Sequence, residues 1–126
     1  MLKTLSLAAI GLAVTAVAAL AADPAMVGDT AKGKALTDPN GMTLYTFDKD
    51  SGGKSACNGA CAGNWPPLAA SADAKAAGDY SVVKRDDGSA QWAYKGKPLY
   101  TFVNDAKAGD ASGEGLGGNT WHTAAP

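Results

Sequence analysis

Cys57-Asn58-Gly59-Ala60-Cys61 places two thiols four positions apart, and the only histidine of the 126-residue chain, His122, lies far downstream. Two chemistries suit this set. In an oxidising compartment neighbouring thiols end as a disulfide. Kept reduced, two soft thiolates and an imidazole suit copper. On the chain-entropy account a bridge across so short a loop contributes only ~2 kcal/mol, enough to pin a Gly-rich loop near Trp65 but not to hold a domain together. Cys57 and Cys61 are therefore expected as a structural disulfide, with Cys57, Cys61 and His122 as the alternative copper or thiol-redox set. Two Cys and one His cannot furnish a four-Cys zinc ribbon or a Cys-ligated iron–sulfur cluster. Haem attachment through C-x-x-C-H fails because three residues separate the thiols and Ala62 follows. No Gly-x-Ser-x-Gly elbow accompanies His122, and the Asp residues fall in turns rather than in an apolar pocket that would raise a carboxyl pKa. The chain reads as non-enzymatic, with no cofactor expected unless copper binds.

Composition narrows the partners. Eleven Lys plus Arg nearly offset twelve Asp plus Glu, for a formal charge of -1. No long run of one sign exists, so nucleic acid is not an expected ligand. Met1 to Lys3 make a short positive start, Leu5 to Leu20 an apolar run rich in Ala, and Ala19-Leu20-Ala21 a small-residue cleavage pattern. Residues 1–21 read as a secretory signal peptide. Its removal leaves residues 22–126 as one domain, periplasmic or secreted, with no stable membrane anchor and with an extracytoplasmic protein as the kind of partner it could meet.

The elements that must hold these residues come in duplicate. Gly41-Met42-Thr43-Leu44-Tyr45-Thr46-Phe47-Asp48-Lys49-Asp50 aligns without a gap on Gly96-Lys97-Pro98-Leu99-Tyr100-Thr101-Phe102-Val103-Asn104-Asp105. Gly63-Asn64-Trp65 is echoed by Gly118-Asn119-Thr120-Trp121. Repeats spanning about 28–68 and 79–126 are expected. Within the first, Lys34 to Thr37 and Met42 to Phe47 flank Asp38-Pro39-Asn40-Gly41, a hairpin turn. In the second, Tyr80 to Lys84, Ala90 to Tyr94 and Leu99 to Phe102 form a meander through Asp86-Asp87-Gly88 and Lys95 to Pro98. Period-two geometry puts Tyr45 with Phe47, and Tyr100 with Phe102, on common faces, so aromatic rings supply much of the core. Ser71 to Gly78 reads as a short Ala-rich helix. The fold class is mainly β: two related antiparallel hairpin or meander repeats in one small domain, with long Gly-rich loops and at most one short helix. The loop after Asp48 has the Cys pair to tie it, whereas the loop after Asp105 has no such staple and is expected to be flexible.

These residues resemble a bacterial secreted-repeat family of predicted lipoproteins, marked by Tyr-x-(Phe/Trp/Tyr)-x-x-Asp and of unknown function. Tyr45, Phe47 and Asp50, then Tyr100, Phe102 and Asp105, fit that motif, and the resemblance covers about residues 28 to 126. It implies export and the repeat boundaries, and no activity. The chain departs from the family in lacking a Cys just after the cleavage pattern, which argues against a lipid tether. The motif itself reads as structural: Asp50 and Asp105 follow their strands, where each carboxylate can accept from a Tyr hydroxyl or from turn amides. Asp48-Lys49-Asp50-Ser51-Gly52 gathers oxygen ligands, but the EF-hand register fails at Gly59, where a bidentate Glu belongs.

Overall fold

The computed structural model describes residues 23–126, so the expected signal segment lies outside the described residues. In chain order the elements are β1 (Met26–Thr30), β2 (Gly33–Thr37), β3 (Tyr45–Phe47), α1 (Ala60–Asn64), β4 (Ala69–Ala70), β5 (Tyr80–Lys84), β6 (Ala90–Tyr94), β7 (Lys97–Pro98), α2 (Leu116–Asn119) and β8 (Trp121–Thr123). Every strand pair is antiparallel. The mainly β expectation holds. The helical content differs, because two short turns are present and neither is at Ser71 to Gly78, which forms turns instead. An Ala-rich run of two turns cannot meet the cost of nucleation without an apolar face to bury, and that segment is almost wholly exposed.

Local chemistry shapes the hairpins. At Asp38-Pro39-Asn40-Gly41 the Asp38 carboxylate accepts from the amides of Asn40 and Met42, both at 2.9 Å, and the left-handed backbone falls on Gly41 alone. Thr37 then bridges Thr43, which closes the expected hairpin. A strand not anticipated, β1, pairs along all of β2. In the second repeat β5, β6 and β7 form the expected meander, turning at Lys95 and Gly96, both with positive φ. Its third strand is Lys97–Pro98, inside the expected turn, and not Leu99 to Phe102: the Leu99 amide still donates to Trp92, but from Tyr100 onward the chain pairs with the first repeat instead.

That departure organises the molecule. β3 of the first repeat pairs with β8 at the end of the second, and Tyr100 of the second repeat bridges Pro67 at the end of the first. Backbone hydrogen bonds come in matching couples across the repeat offset. The Leu36 amide donates to Ala124 as the Trp92 amide donates to Leu68, and the amides of Ala124 and Leu68 donate to Leu44 and Leu99. Asp48 donates to Thr120 as Val103 donates to Asn64. Each repeat thus completes its sheet with the closing segment of the other.

Burial follows the same pseudo-two-fold. One cluster holds Tyr45, Cys57, Trp65, Tyr100, Phe102 and Trp121, and a second holds Ala25, Leu36, Leu44, Leu99 and Ala124. In the first cluster the rings form a continuous ladder. Phe47 stacks on Trp121 at 4.2 Å, Trp121 on Trp65 at 3.8 Å with planes 3° apart, and Trp65 on Phe102 at 4.2 Å. Tyr45 meets Trp65 edge-on as Tyr100 meets Trp121, the arrangement favoured by ring quadrupoles. Gly113 is required here, since a Cβ there would lie 2.6 Å from the Trp65 ring.

Candidate functional site

The motif residues converge where the pseudo-two-fold passes between Tyr45 and Tyr100. Their backbones exchange two hydrogen bonds, Tyr45 N–H to Tyr100 C=O at 2.8 Å and Tyr100 N–H to Tyr45 C=O at 3.0 Å. Both side chains are fully buried. The Tyr45 hydroxyl donates to Asp105 at 2.6 Å, and the Tyr100 hydroxyl donates to Asp50 at 2.6 Å. Each motif therefore supplies the carboxylate for the tyrosine of the other. The second oxygen of each carboxylate holds its own loop: Asp50 accepts from the Ala56 amide at 2.6 Å, and Asp105 from the Ser112 amide at 2.9 Å. Burial, with the Asp105 bond second, pushes the Tyr45 phenol far above its usual range. Burial, with the Asp50 bond second, pushes Tyr100 up to about 12. Burial also raises Asp50, against the Ala56 amide, the Tyr100 hydroxyl and the Arg85 charge.

The loop expected to be flexible is held in place. Besides the Asp105 contacts, the Thr43 hydroxyl donates to the Asp110 carbonyl, the Gly109 amide to Gly41, and the Gly115 amide to Trp121. Backbone carbonyls and the carboxylates of Asp105, Asp110 and Glu114 replace the staple that the other loop has. That staple is Cys57–Cys61, a disulfide in the structure. The double variant Cys57→Ser, Cys61→Ser is expected to stay folded and to lose ~2 kcal/mol in urea unfolding.

His122 is not brought to that pair. Its Nδ1 lies 2.8 Å from Glu114 and its Nε2 3.1 Å from Asp48, joining β8 to the end of β3 and to the preceding loop. Among the described residues no group of three or more His, Cys, Asp or Glu is arranged to hold a metal ion. The Glu114 bond, then Asp48, raise the imidazole pKa against desolvation. Burial pushes Glu114 up, but the Thr123 amide and His122 outweigh it and hold the carboxyl below its usual range. A raised folded-state pKa means that the His122 contribution is complete below the unfolded value of about 6.5 and fades as pH rises through the folded value. Melting temperature measured from pH 5.5 to 8.5 should fall over that window in the native chain, and His122→Gln should flatten the fall.

Four residues that the sequence reading passed over carry much of the buried polar chemistry. Arg85, the only Arg of the chain, is 5% exposed. Its Nη1 donates to Gln91 at 2.7 Å and to Ser55 at 3.0 Å, and its Nη2 to the Cys57 carbonyl at 2.6 Å. Ser55 in turn meets the Tyr100 hydroxyl at 2.6 Å, and Gln91 donates to the Leu99 carbonyl at 2.7 Å. Glu114, the only Glu of the chain, caps β8 through the Thr123 amide at 2.8 Å. Their rarity was the available signal: a chain that otherwise uses Lys and Asp has one Arg and one Glu, and both are built into contacts. Among the described residues no buried side-chain polar atom lacks a partner.

A family model described as a secreted repeat of unknown function matches residues 26–69 and again residues 81–125. The chain belongs to this secreted-repeat family. The two matched stretches are the two halves that the hydrogen-bond couples relate, so the secreted repeat is the unit that lends its closing segment to its neighbour. No curated protein and no solved structure matches the chain. Among the described residues no helix is long and apolar enough to cross a membrane.

Proposed function

We propose that this secreted-repeat protein is a non-catalytic extracytoplasmic module, a binding or structural unit whose motif residues hold its own two halves in register. The observation that carries this reading is the reciprocal Tyr45–Asp105 and Tyr100–Asp50 pairing. A tyrosine and a carboxylate poised for catalysis or for a ligand would need a free face. Here each hydroxyl is buried, each carboxylate oxygen is engaged, and the two units repeat the arrangement. Its family and the disulfide support an oxidising, extracytoplasmic setting.

Two measurements test the reading together. Tyr45→Phe and Tyr100→Phe each remove one bond to a carboxylate and are expected to cost ~1.5–3 kcal/mol in urea unfolding. Copper competition on the reduced native chain is expected to give no tight one-to-one Cu(I) binding. Phenylalanine variants as stable as the parent would remove the structural role of the motif. Tight copper binding lost in Cys57→Ser would replace this reading with the thiol one.

A further inference from the structure

Each repeat exposes, until the other arrives, the backbone edges of its Tyr strand and its closing segment. The contacts that satisfy them, β3 with β8, β4 with β6, and the Tyr45–Tyr100 bridge, all join residues on opposite sides of one linker, residues 71–79. Nothing in that set requires both repeats to come from the same chain. We infer that the surface completing each repeat is also a docking surface for a second copy of this chain, which can exchange its second repeat and reproduce every inter-repeat contact in trans.

The linker points to that occupant. Eight of its nine residues are exposed, Ala74 alone being half-buried. Its backbone bonds are local, Ala74 to Ser71 and the Ala77–Tyr80 pair, except at Asp79, whose carbonyl accepts from the Lys95 amide within the second repeat. A cavity of about 440 Å³ separates Ser71 and Asp73–Ala77 of the linker from the rings of Tyr80 and Trp92, with Asp23 and Pro24 also on its wall. A swapped pair therefore changes only the path of this segment and buries no new surface. What keeps the chain closed on itself is proximity: a short flexible connection gives an effective concentration in the mM range, far above ordinary protein concentrations.

The geometry also says how to move the balance. β4 and β5 flank β6 on opposite sides, so they lie about 10 Å apart. Ala70 pairs with Ala90, which pairs with Lys84, four residues along β5 from Tyr80, or about 13 Å. The linker must thus join points about 16 Å apart. Ten Cα steps reach about 33 Å, whereas the four left after deletion of residues 72–77 reach about 13 Å and cannot close the monomer.

The test uses the full chain with Ala70→Cys and Ala90→Cys, a directly opposed pair across the β4–β6 contact. With the natural linker at micromolar concentration the new bridge should form within one chain. With residues 72–77 deleted it should join two chains, giving a covalent dimer on a non-reducing gel with unchanged near-UV circular dichroism. A shortened chain that stays a folded monomer with an intrachain 70–90 bridge overturns the inference. If the shortened chain does not fold, the natural-linker variant is refolded at millimolar concentration. An interchain 70–90 bridge increasing with concentration supports exchange, and its absence at every concentration overturns it.

Discussion

Trp121→Ala should lower the unfolding free energy by ~3–5 kcal/mol, as for other buried Trp truncations. The ring is 3% exposed and lies inside the ladder, stacked on Trp65 on one face and on Phe47 on the other, with Tyr100 edge-on. Its removal opens a cavity at the pseudo-two-fold and takes the stacking partner from both Trp65 and Phe47. Against a typical net stability of ~5–15 kcal/mol, this is a large share. The effect should also exceed that of Phe47→Ala, because Phe47 sits at the end of the ladder and is only partly buried. Urea midpoints at constant slope measure both. A Trp121→Ala loss near 1 kcal/mol, or one equal to that of Phe47→Ala, would show that the ladder does not bind the halves.

Arg85→Met should cost ~3–5 kcal/mol, comparable to breaking other buried charged networks by removing one partner. The side chain packs similarly, but Gln91 Oε1, the Cys57 carbonyl and Ser55 lose their donor together. Arg85→Lys should recover less than half of that loss. An ammonium is a point charge on a flexible stem and cannot span acceptors that a planar fork reaches at once. The disulfide loop should loosen in both variants, since Arg85 is what ties the Cys57 carbonyl to β6, so faster reduction of Cys57–Cys61 by a mild thiol is the second readout. A methionine variant as stable as the parent, with unchanged reduction rate, would show that the guanidinium is not what holds the loop.

Much of this protein was legible before any coordinates. Repeat detection located both halves and both motif copies. The turns at Asp38–Gly41 and Lys95–Lys97 followed from residues that tolerate positive φ or that hydrogen-bond their own backbone. The disulfide followed from spacing and compartment. The helix at Ser71 to Gly78 failed because composition is a weak guide where nothing packs against the segment. The loop after Asp105 is anchored by partners as remote as Thr43, and no local pattern announces those.

Strand alternation, turn chemistry and the doubling of one unit were written in the amino acids alone, because each depends on neighbours a few positions apart. Which tyrosine meets which aspartate was not. Both motifs carry the same residue types, so a Tyr strand finds the same chemistry in its own repeat as in the other, and local rules are degenerate between the two pairings. Only the packed molecule resolves them. Stacking Trp65 on Trp121 and burying both tyrosines on one axis requires that each half close on the other's final segment, and that exchange carries Arg85 inside and His122 away from the thiols.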